Sequence, residues 1–237
     1  MPRSVVLVVA VLLLAANSLV AQTTTPTENF SSVSPDINER FLDPELDPQE
    51  WRARFEVESR EIFAHRQDVV QAMQLTPGAR IADVGSGTGL FLELFSTAVT
   101  KTGKVYALDI SPRLIEYVRQ RVKKDKLLNV EVLLSKANST GLPNGSIDVA
   151  FVCDTYHHFE HYQNMLCSIR AALRPGGQLV VIDFERIPGK SRDWVLGHVR
   201  ANKEQVRKEI EQAAFVFQEE VNIPGFLENY FLRFKKP

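Results

Sequence analysis

The chain of 237 residues contains only two cysteines, Cys153 and Cys167. Two thiols cannot build a disulfide-dense scaffold or a cysteine-rich zinc site. It has no excess of positive charge either: 28 Lys+Arg stand against 29 Asp+Glu, a formal net charge of -1. Nucleic-acid binding driven by bulk charge is therefore not expected. The apolar run Val5 to Ala16 has 12 residues, short of the about 20 that a membrane span needs. No internal repeat is present. What remains is an ordinary globular balance, 44% hydrophobic and 24% charged, which excludes a disordered, collagen-like or coiled-coil chain. The length suits one large domain, or an ordinary domain with an extension.

The N-terminus reads as such an extension. Met1 to Ser4 is weakly basic, the apolar run follows, and Asn17 to Ala21 supplies small and polar residues. This is the order of a secretory signal. Residues 1–21 are thus expected to direct export to the periplasm or the outside, with cleavage after Ser18 or Ala21. The alternative is a membrane anchor over residues 5–21. Gln22 to Asp47 is rich in Thr, Ser and Pro and is read as a flexible tether, residues 22–47, with too few apolar side chains to offset its ordering entropy. Asp47-Pro48-Gln49-Glu50 then has the form of a helix start, with Asp as cap and Pro at the first helical position. Trp51, Phe55, Ile62, Phe63, Val69, Val70 and Met73 follow at helical spacing, so residues 48–75 are expected to form a helical lid on the core.

From Arg80 onward short apolar runs alternate with helical patterns. Strands are expected over residues 80–84, 104–108, 130–134, 147–153 and 178–183. Helices are expected from Leu90, from Ser111-Pro112 and from Phe159, the last stopped by Pro175-Gly176-Gly177. Such alternation implies a parallel sheet covered on both faces. After Asp183 the pattern becomes helical to Ala214, with a second capping box at Asn202 to Gln205. Two strands, 215–221 and 229–235, close the chain with no helix between them, which makes them antiparallel. The core thus covers residues 76–184 and the C-terminal helices and strand pair residues 185–237.

The chemistry is carried by the first strand-to-helix turn. Ligands bind parallel sheets at the carboxyl ends of strands where the strand order reverses. Gly85, Gly87 and Gly89 sit there, where glycine lets a ligand approach the backbone, and the next helix offers unpaired N–H groups. Asp109 ends the following strand, 20 residues after Gly89, placed to accept the hydroxyls of a ribose. The glycines run G-x-G-x-G rather than G-x-G-x-x-G, and Asp83 stands at their mouth. A carboxylate there repels a pyrophosphate and suits a cationic ligand. That favours a sulfonium nucleoside carrying an ammonium group over a nicotinamide dinucleotide.

At these residues the sequence resembles the class I S-adenosylmethionine-dependent methyltransferases, and among them the small-molecule enzymes of the type 11 kind. The motifs are Asp83 to Gly89, Val105 to Ser111, Leu142-Pro143 to Asp148, Tyr156-His157-His158-Phe159 and Leu173 to Gly177. Together they span about residues 75 to 184, and the closing strand pair also fits. The resemblance implies a Rossmann-like, doubly wound α/β sheet of seven strands with the last antiparallel, as a methyltransferase domain over residues 48–237. It implies S-adenosylmethionine as cofactor. Asp83, Gly85, Ser86 and Gly87 would hold the methionine part, Asp109 and Ile110 the ribose side, and Asn138, four residues before Leu142, would face the adenine. The acceptor would be a small molecule, methylated by direct displacement. No nucleic-acid partner is expected, and a membrane only if the N-terminal segment stays uncleaved.

Asp154 and His157, at the end of the fourth strand, are the candidates for a base or a positioning group beside the methyl group. His158 is read instead as a structural residue, one of the two histidines packing under the next helix and the other framing the pocket. Imidazoles at His157, His158, His161 and His198, with Asp154, are metal-ligand types, but nothing in their spacing sets a tetrahedron, and no metal site is expected. Asp183, Glu185 and Arg186 follow the fifth strand and read as a salt-bridged loop rather than an acceptor site. Cys153 and Cys167 read as buried free thiols rather than a disulfide. Two other functions fit the same turn: a non-catalytic nucleoside-binding or sensor domain, and a nicotinamide-dependent oxidoreductase, which the glycine spacing disfavours.

Overall fold

The computed structural model describes Met1 and residues 31–237. The expected signal or anchor and the first part of the tether lie outside the described residues. The described chain is built on a seven-stranded sheet in the order β3-β2-β1-β4-β5-β7-β6. Its strands are β1 (Arg80–Val84), β2 (Lys104–Asp109), β3 (Val130–Leu134), β4 (Ile147–Cys153), β5 (Leu173–Phe184), β6 (Val216–Glu220) and β7 (Asn229–Lys235). β1 to β5 are parallel, and β7 runs antiparallel to both β5 and β6. The chain steps outward from β1 to β3, then returns to lay β4 on the other side of β1. The reversal therefore falls between β1 and β4, which opens a crevice at their carboxyl ends.

Both faces of the sheet are covered, as strands apolar on both sides require. Successive residues of one strand point to opposite faces. Ala82, Val84, Ala150 and Val152 thus join one apolar layer, with Met165 and Ile169 of α7 (Tyr162–Ala172) and Val206 and Ile210 of α9 (Lys203–Gln212). Ile81, Val149 and Phe151 join the other, with Val69 of α4 (Arg66–Ala72), Phe95 of α5 (Leu92–Val99) and Val118 of α6 (Pro112–Lys124). The expected caps form. Asp47 accepts from the N–H of Gln49, Ser111 from that of Leu114 and Asn202 from that of Gln205. Each satisfies an N–H that the first helical turn leaves unpaired.

Three expectations change. The segment read as tether is docked over residues 31–47. The Val33 N–H donates to the Glu160 carbonyl at 2.9 Å, Asn38 and Leu46 are buried, and a short helix, α1 (Glu39–Leu42), lies between them. A few buried side chains hold it where composition alone suggested no core. The lid is not one helix. α2 (Pro48–Phe55) ends at Glu56, and α3 (Glu61–Ala64) and α4 follow as separate turns. Glu56 is held away from helical geometry by Arg121 and Thr88, at 2.5 and 3.0 Å. The Glu61 carboxylate accepts the N–H groups of Leu227, Glu228 and Asn229, which ties the lid to the loop before β7. Finally, Pro175-Gly176-Gly177 does not precede β5 but bulges within it, since Ile147 pairs with Leu173 and Val149 with Gln178. The remaining helix, α8 (Asp193–His198), lies between β5 and α9. Among the described residues no helix is long and apolar enough to cross a membrane.

Candidate active site

A cavity of about 910 Å³ opens at the reversal point, near the upper end of the roughly 300–1,000 Å³ of small-molecule sites. One half is built by backbone. Gly85 leaves β1 at φ +79, and a Cβ there would lie 2.2 Å from the Thr155 Cγ2. Only glycine lets the ends of β1 and β4 come this close. Gly87, at φ +54, turns its N–H to the Asp109 carboxylate at 2.9 Å, and the same carboxylate accepts the Ser111 N–H at 2.9 Å.

Asp83 and Asp109 are 3% and 7% exposed, and among the described residues no lysine or arginine pairs with either. Burial, reinforced by the Asp109 charge, pushes the Asp83 carboxyl up to about 8. Burial raises Asp109 to about 6, against the N–H groups of Ser111, Gly87 and Ile110, which favour its charged form. Two adjacent carboxylates without a cation are costly. A ligand that brings a positive charge and hydroxyl donors relieves both. The Ser86 hydroxyl is buried without a partner, and Ile110 lines the same wall. Asp83, Gly85, Ser86, Gly87, Asp109 and Ile110 are thus brought together. Asn138 is not. It is exposed at the tip of a turn closed by Lys136 and Ser139, and Ala137 and Ser135 face the cavity instead.

The other half is built by side chains from distant segments. Phe41, Trp51 and Phe55 pack in a row as tilted rings, with centroids 4.6 and 5.3 Å apart, and Trp194 packs edge-on against Phe184 at 4.9 Å. Asp154 sits at φ +47, unusual for a residue with a side chain. Its carboxylate accepts from Asn229 at 2.7 Å and forms a short ion pair with Arg60. Burial raises its carboxyl to about 6, against the opposing pull of Arg60. Asp154 is therefore a held carboxylate.

His157 and His158 lie on a 3-10 turn, Tyr156–His158. The His157 Nδ1 is 2.7 Å from the Asp183 Oδ1, and its backbone N–H donates to the other oxygen at 3.0 Å. Burial opposes charge on His157, but Asp183 outweighs it, and the pKa is raised. His158 lines the cavity, with its Nε2 at 3.4 Å from that of His198 on α8. Burial, then the charges of His157 and His198, lowers its pKa to about 2, and burial also lowers His198. His157, His158 and His198 form one group, and His161 and Asp154 are not part of it.

Asp183 is thus a buried partner of His157, while Glu185 pairs with Lys203 at 2.6 Å and Arg186 donates to the Leu196 carbonyl at 2.9 Å, as a bridged loop would. Both cysteines are free, but Cys167 is exposed rather than buried. Sequence reasoning missed Phe41, Arg60, Trp194 and Asn229. No spacing signals them: Arg60 and Asn229 reach Asp154 across 94 and 75 residues of chain.

Residues 82–181 match the family model Methyltransf_11, described as a methyltransferase domain. The match runs from within β1 to within β5 and so takes in the five parallel strands but not β6 and β7. The chain is 25% identical over 123 residues to the ubiquinone/menaquinone biosynthesis C-methyltransferase UbiE of Hydrogenovibrio crunogenus, covering 52% of this chain and 48% of that protein. It spans about half the length of the curated relatives of this type that it matches. Among solved structures, a SAM-dependent methyltransferase from Aquifex aeolicus superposes with a TM-score of 0.70 at 25% identity, covering 81% of this chain and 99% of that one. Phosphoethanolamine N-methyltransferase 2 of Haemonchus contortus, in complex with S-adenosyl-L-methionine, shares the fold at a TM-score of 0.62 and 16% identity, covering 81% and 60%. The fold is that of the class I S-adenosylmethionine-dependent methyltransferases.

Proposed function

We propose that the protein transfers a methyl group from S-adenosylmethionine to a small-molecule acceptor with a flat apolar portion. The observation that carries this reading is the continuity of one cavity, acidic and backbone-walled at one end, aromatic and histidine-lined at the other. When bound, the cofactor supplies a methyl group on a sulfonium, a good leaving group, so in-line placement matters more than strong acid–base help. Asp83 and the turn at Gly85 and Gly87 hold its charged methionine end. Asp109 accepts from the ribose hydroxyls, while its own bonds to Gly87 and Ser111 keep it from rotating away. Trp51, Phe55 and Trp194 give the acceptor a wall and exclude water. Asp154, fixed by Arg60 and Asn229, orients polar groups at the junction of the two halves. The names of the UbiE relatives, which are C-methyltransferases of quinone biosynthesis, are compatible with an aromatic acceptor.

The test is thermal unfolding of the protein with S-adenosylmethionine, S-adenosylhomocysteine or NAD, followed by methyl-labelled turnover against aromatic acceptors. Ligand at 100 times its Kd adds about 2.7 kcal/mol. Protection by the two sulfur nucleosides, with label transferred to an aromatic acceptor, is the expected result. Protection without transfer to any acceptor overturns the enzymatic reading in favour of a nucleoside sensor. Protection by NAD alone overturns both.

A further inference from the structure

We propose that His157, His158 and His198 hold a divalent metal ion of the zinc class, with a fourth coordination position open to the acceptor half of the cavity. One ring nitrogen from each residue lies within 4.8 Å of the other two, before any ion draws them together. The His158 and His198 Nε2 atoms are 3.4 Å apart. That is long for a hydrogen bond, which holds nitrogen donors at about 2.7–3.2 Å. It is the separation of two ligands on one tetrahedral ion, because metal–nitrogen bonds of about 2.0–2.1 Å at the tetrahedral angle set their nitrogens about 3.3–3.4 Å apart.

The third imidazole has the support that a metal ligand needs. His157 gives its Nδ1 to the Asp183 carboxylate at 2.7 Å, and Asp183 is itself fixed by the backbone N–H groups of His157 and Phe184. That bond sets the tautomer, leaves Nε2 as the remaining lone pair and makes it more basic, as carboxylates behind metal-bound histidines do. The rings are positioned by packing. Phe41 of the docked N-terminal segment meets His158 edge-on at 5.2 Å, and Phe184 meets His157 at 5.9 Å. Three imidazoles and one open position are the donor set of a catalytic rather than a structural zinc site.

The open position has a use that rests on the methyl-transfer reading. An oxygen, nitrogen or sulfur atom of the acceptor that coordinates there loses its proton to solvent more readily. Its lone pair then forms the new bond to the methyl carbon, while the carbon–sulfur bond breaks with its electrons going to sulfur. The metal site itself rests only on the histidines.

The test uses the purified protein, stripped with a chelator and dialysed against Zn²⁺ and, separately, Co²⁺. Expected are one ion per chain by mass spectrometry and the intense visible bands of four-coordinate Co²⁺. His198→Ala should weaken Zn²⁺ binding at least 100-fold, and Asp183→Asn about 10- to 100-fold. S-adenosylmethionine affinity in His198→Ala should stay within about twofold of the parent, which shows that the variant is folded. Retention of well under one ion per chain by a protein that still binds S-adenosylmethionine overturns the metal site and leaves the cofactor reading intact. Equal Zn²⁺ binding by the parent and His198→Ala overturns the assignment of ligands. Full metal binding without S-adenosylmethionine binding supports the site while sinking the cofactor reading.

Discussion

The two halves of the cavity are made in opposite ways. The cofactor half is a run of 28 positions, Asp83 to Ile110, contributed by two adjacent strand ends. Its geometry is that of the backbone, and its charges are two buried carboxylates, of which Asp109 is held by the N–H groups of Gly87 and Ser111. The acceptor half collects Phe41, Trp51, Arg60, Asp154, His157, Trp194, His198 and Asn229, and its geometry is that of side chains holding one another. A site made of backbone tolerates few residue types at its turn. A site made of side chains can be re-cut for another acceptor by changing residues that the fold does not need. Substitutions should therefore separate the halves cleanly.

The largest effect is expected at Gly85. Gly85→Val places a branched side chain at φ +79 and against Thr155. Left-handed strain and overpacking each cost about 1–3 kcal/mol. Loss of measurable S-adenosylmethionine binding and a lower melting temperature are expected by calorimetry. A variant that binds as the parent does would show that the strand ends are not the cofactor's backbone wall. Next comes Asp109→Ala. Two bonds from ribose hydroxyls to a charged acceptor, at about 1.5–3 kcal/mol each, set a loss of at least 100-fold in cofactor affinity, with Zn²⁺ binding unchanged. Equal loss of both ligands would mean that the two halves are not independent.

The carboxylate pair also sets a pH dependence. Asp83 and Asp109 have folded pKa values, about 8 and about 6, above the ordinary 3.8. Between those values the folded protein carries more protons than the unfolded chain. Stability of the ligand-free protein therefore falls as pH rises from about 4 to 8. A cationic ligand needs the charged carboxylates, so S-adenosylmethionine affinity rises over the upper part of that range, by up to about tenfold per pH unit below the Asp83 value. Isothermal titration in buffers of different ionisation enthalpy should detect the released proton. Asp83→Asn should bind more weakly and lose the dependence between pH 6 and 8. A slope that survives in the variant assigns the proton elsewhere.

The same contrast explains how much could be read before the fold was known. Strands, caps and the glycine turn depend on neighbours within a few residues, so Asp47, Ser111, Asn202, Gly85 and Asp109 were legible in place. Asn138 was not, because it lies exposed in a turn closed by Lys136 and Ser139, which leaves Ser135 and Ala137 on the cavity wall. The docked segment 31–47 was hidden by its polar composition, although Asn38 and Leu46 suffice to hold it. The histidines could be named as metal-ligand types, but α8 alone decides that His198 meets His158. The exposed Cys167 likewise depends on which face of α7 meets the sheet. Interactions that span 40 to 170 residues leave no period in a sequence.

The smallest effect, and the sharpest test of independence, is Asn38→Ala. The Asn38 amide donates to the His158 carbonyl and to the Glu160 carboxylate, both at 3.0 Å. Its loss leaves a buried carbonyl short of a partner, at about 1–3 kcal/mol. The segment it holds touches the core through few other bonds, so the cost should appear as local opening rather than as a lower global stability. Hydrogen exchange should rise at the Val33 amide, which bonds Glu160, and at the amides of α1. Opening removes Phe41 from both Trp51 and His158, so the acceptor KM should rise several-fold while cofactor affinity moves by less than a factor of two. If cofactor affinity falls with it, the docked segment closes over both halves, and the cavity is one unit rather than a fixed cradle beside an exchangeable lobe.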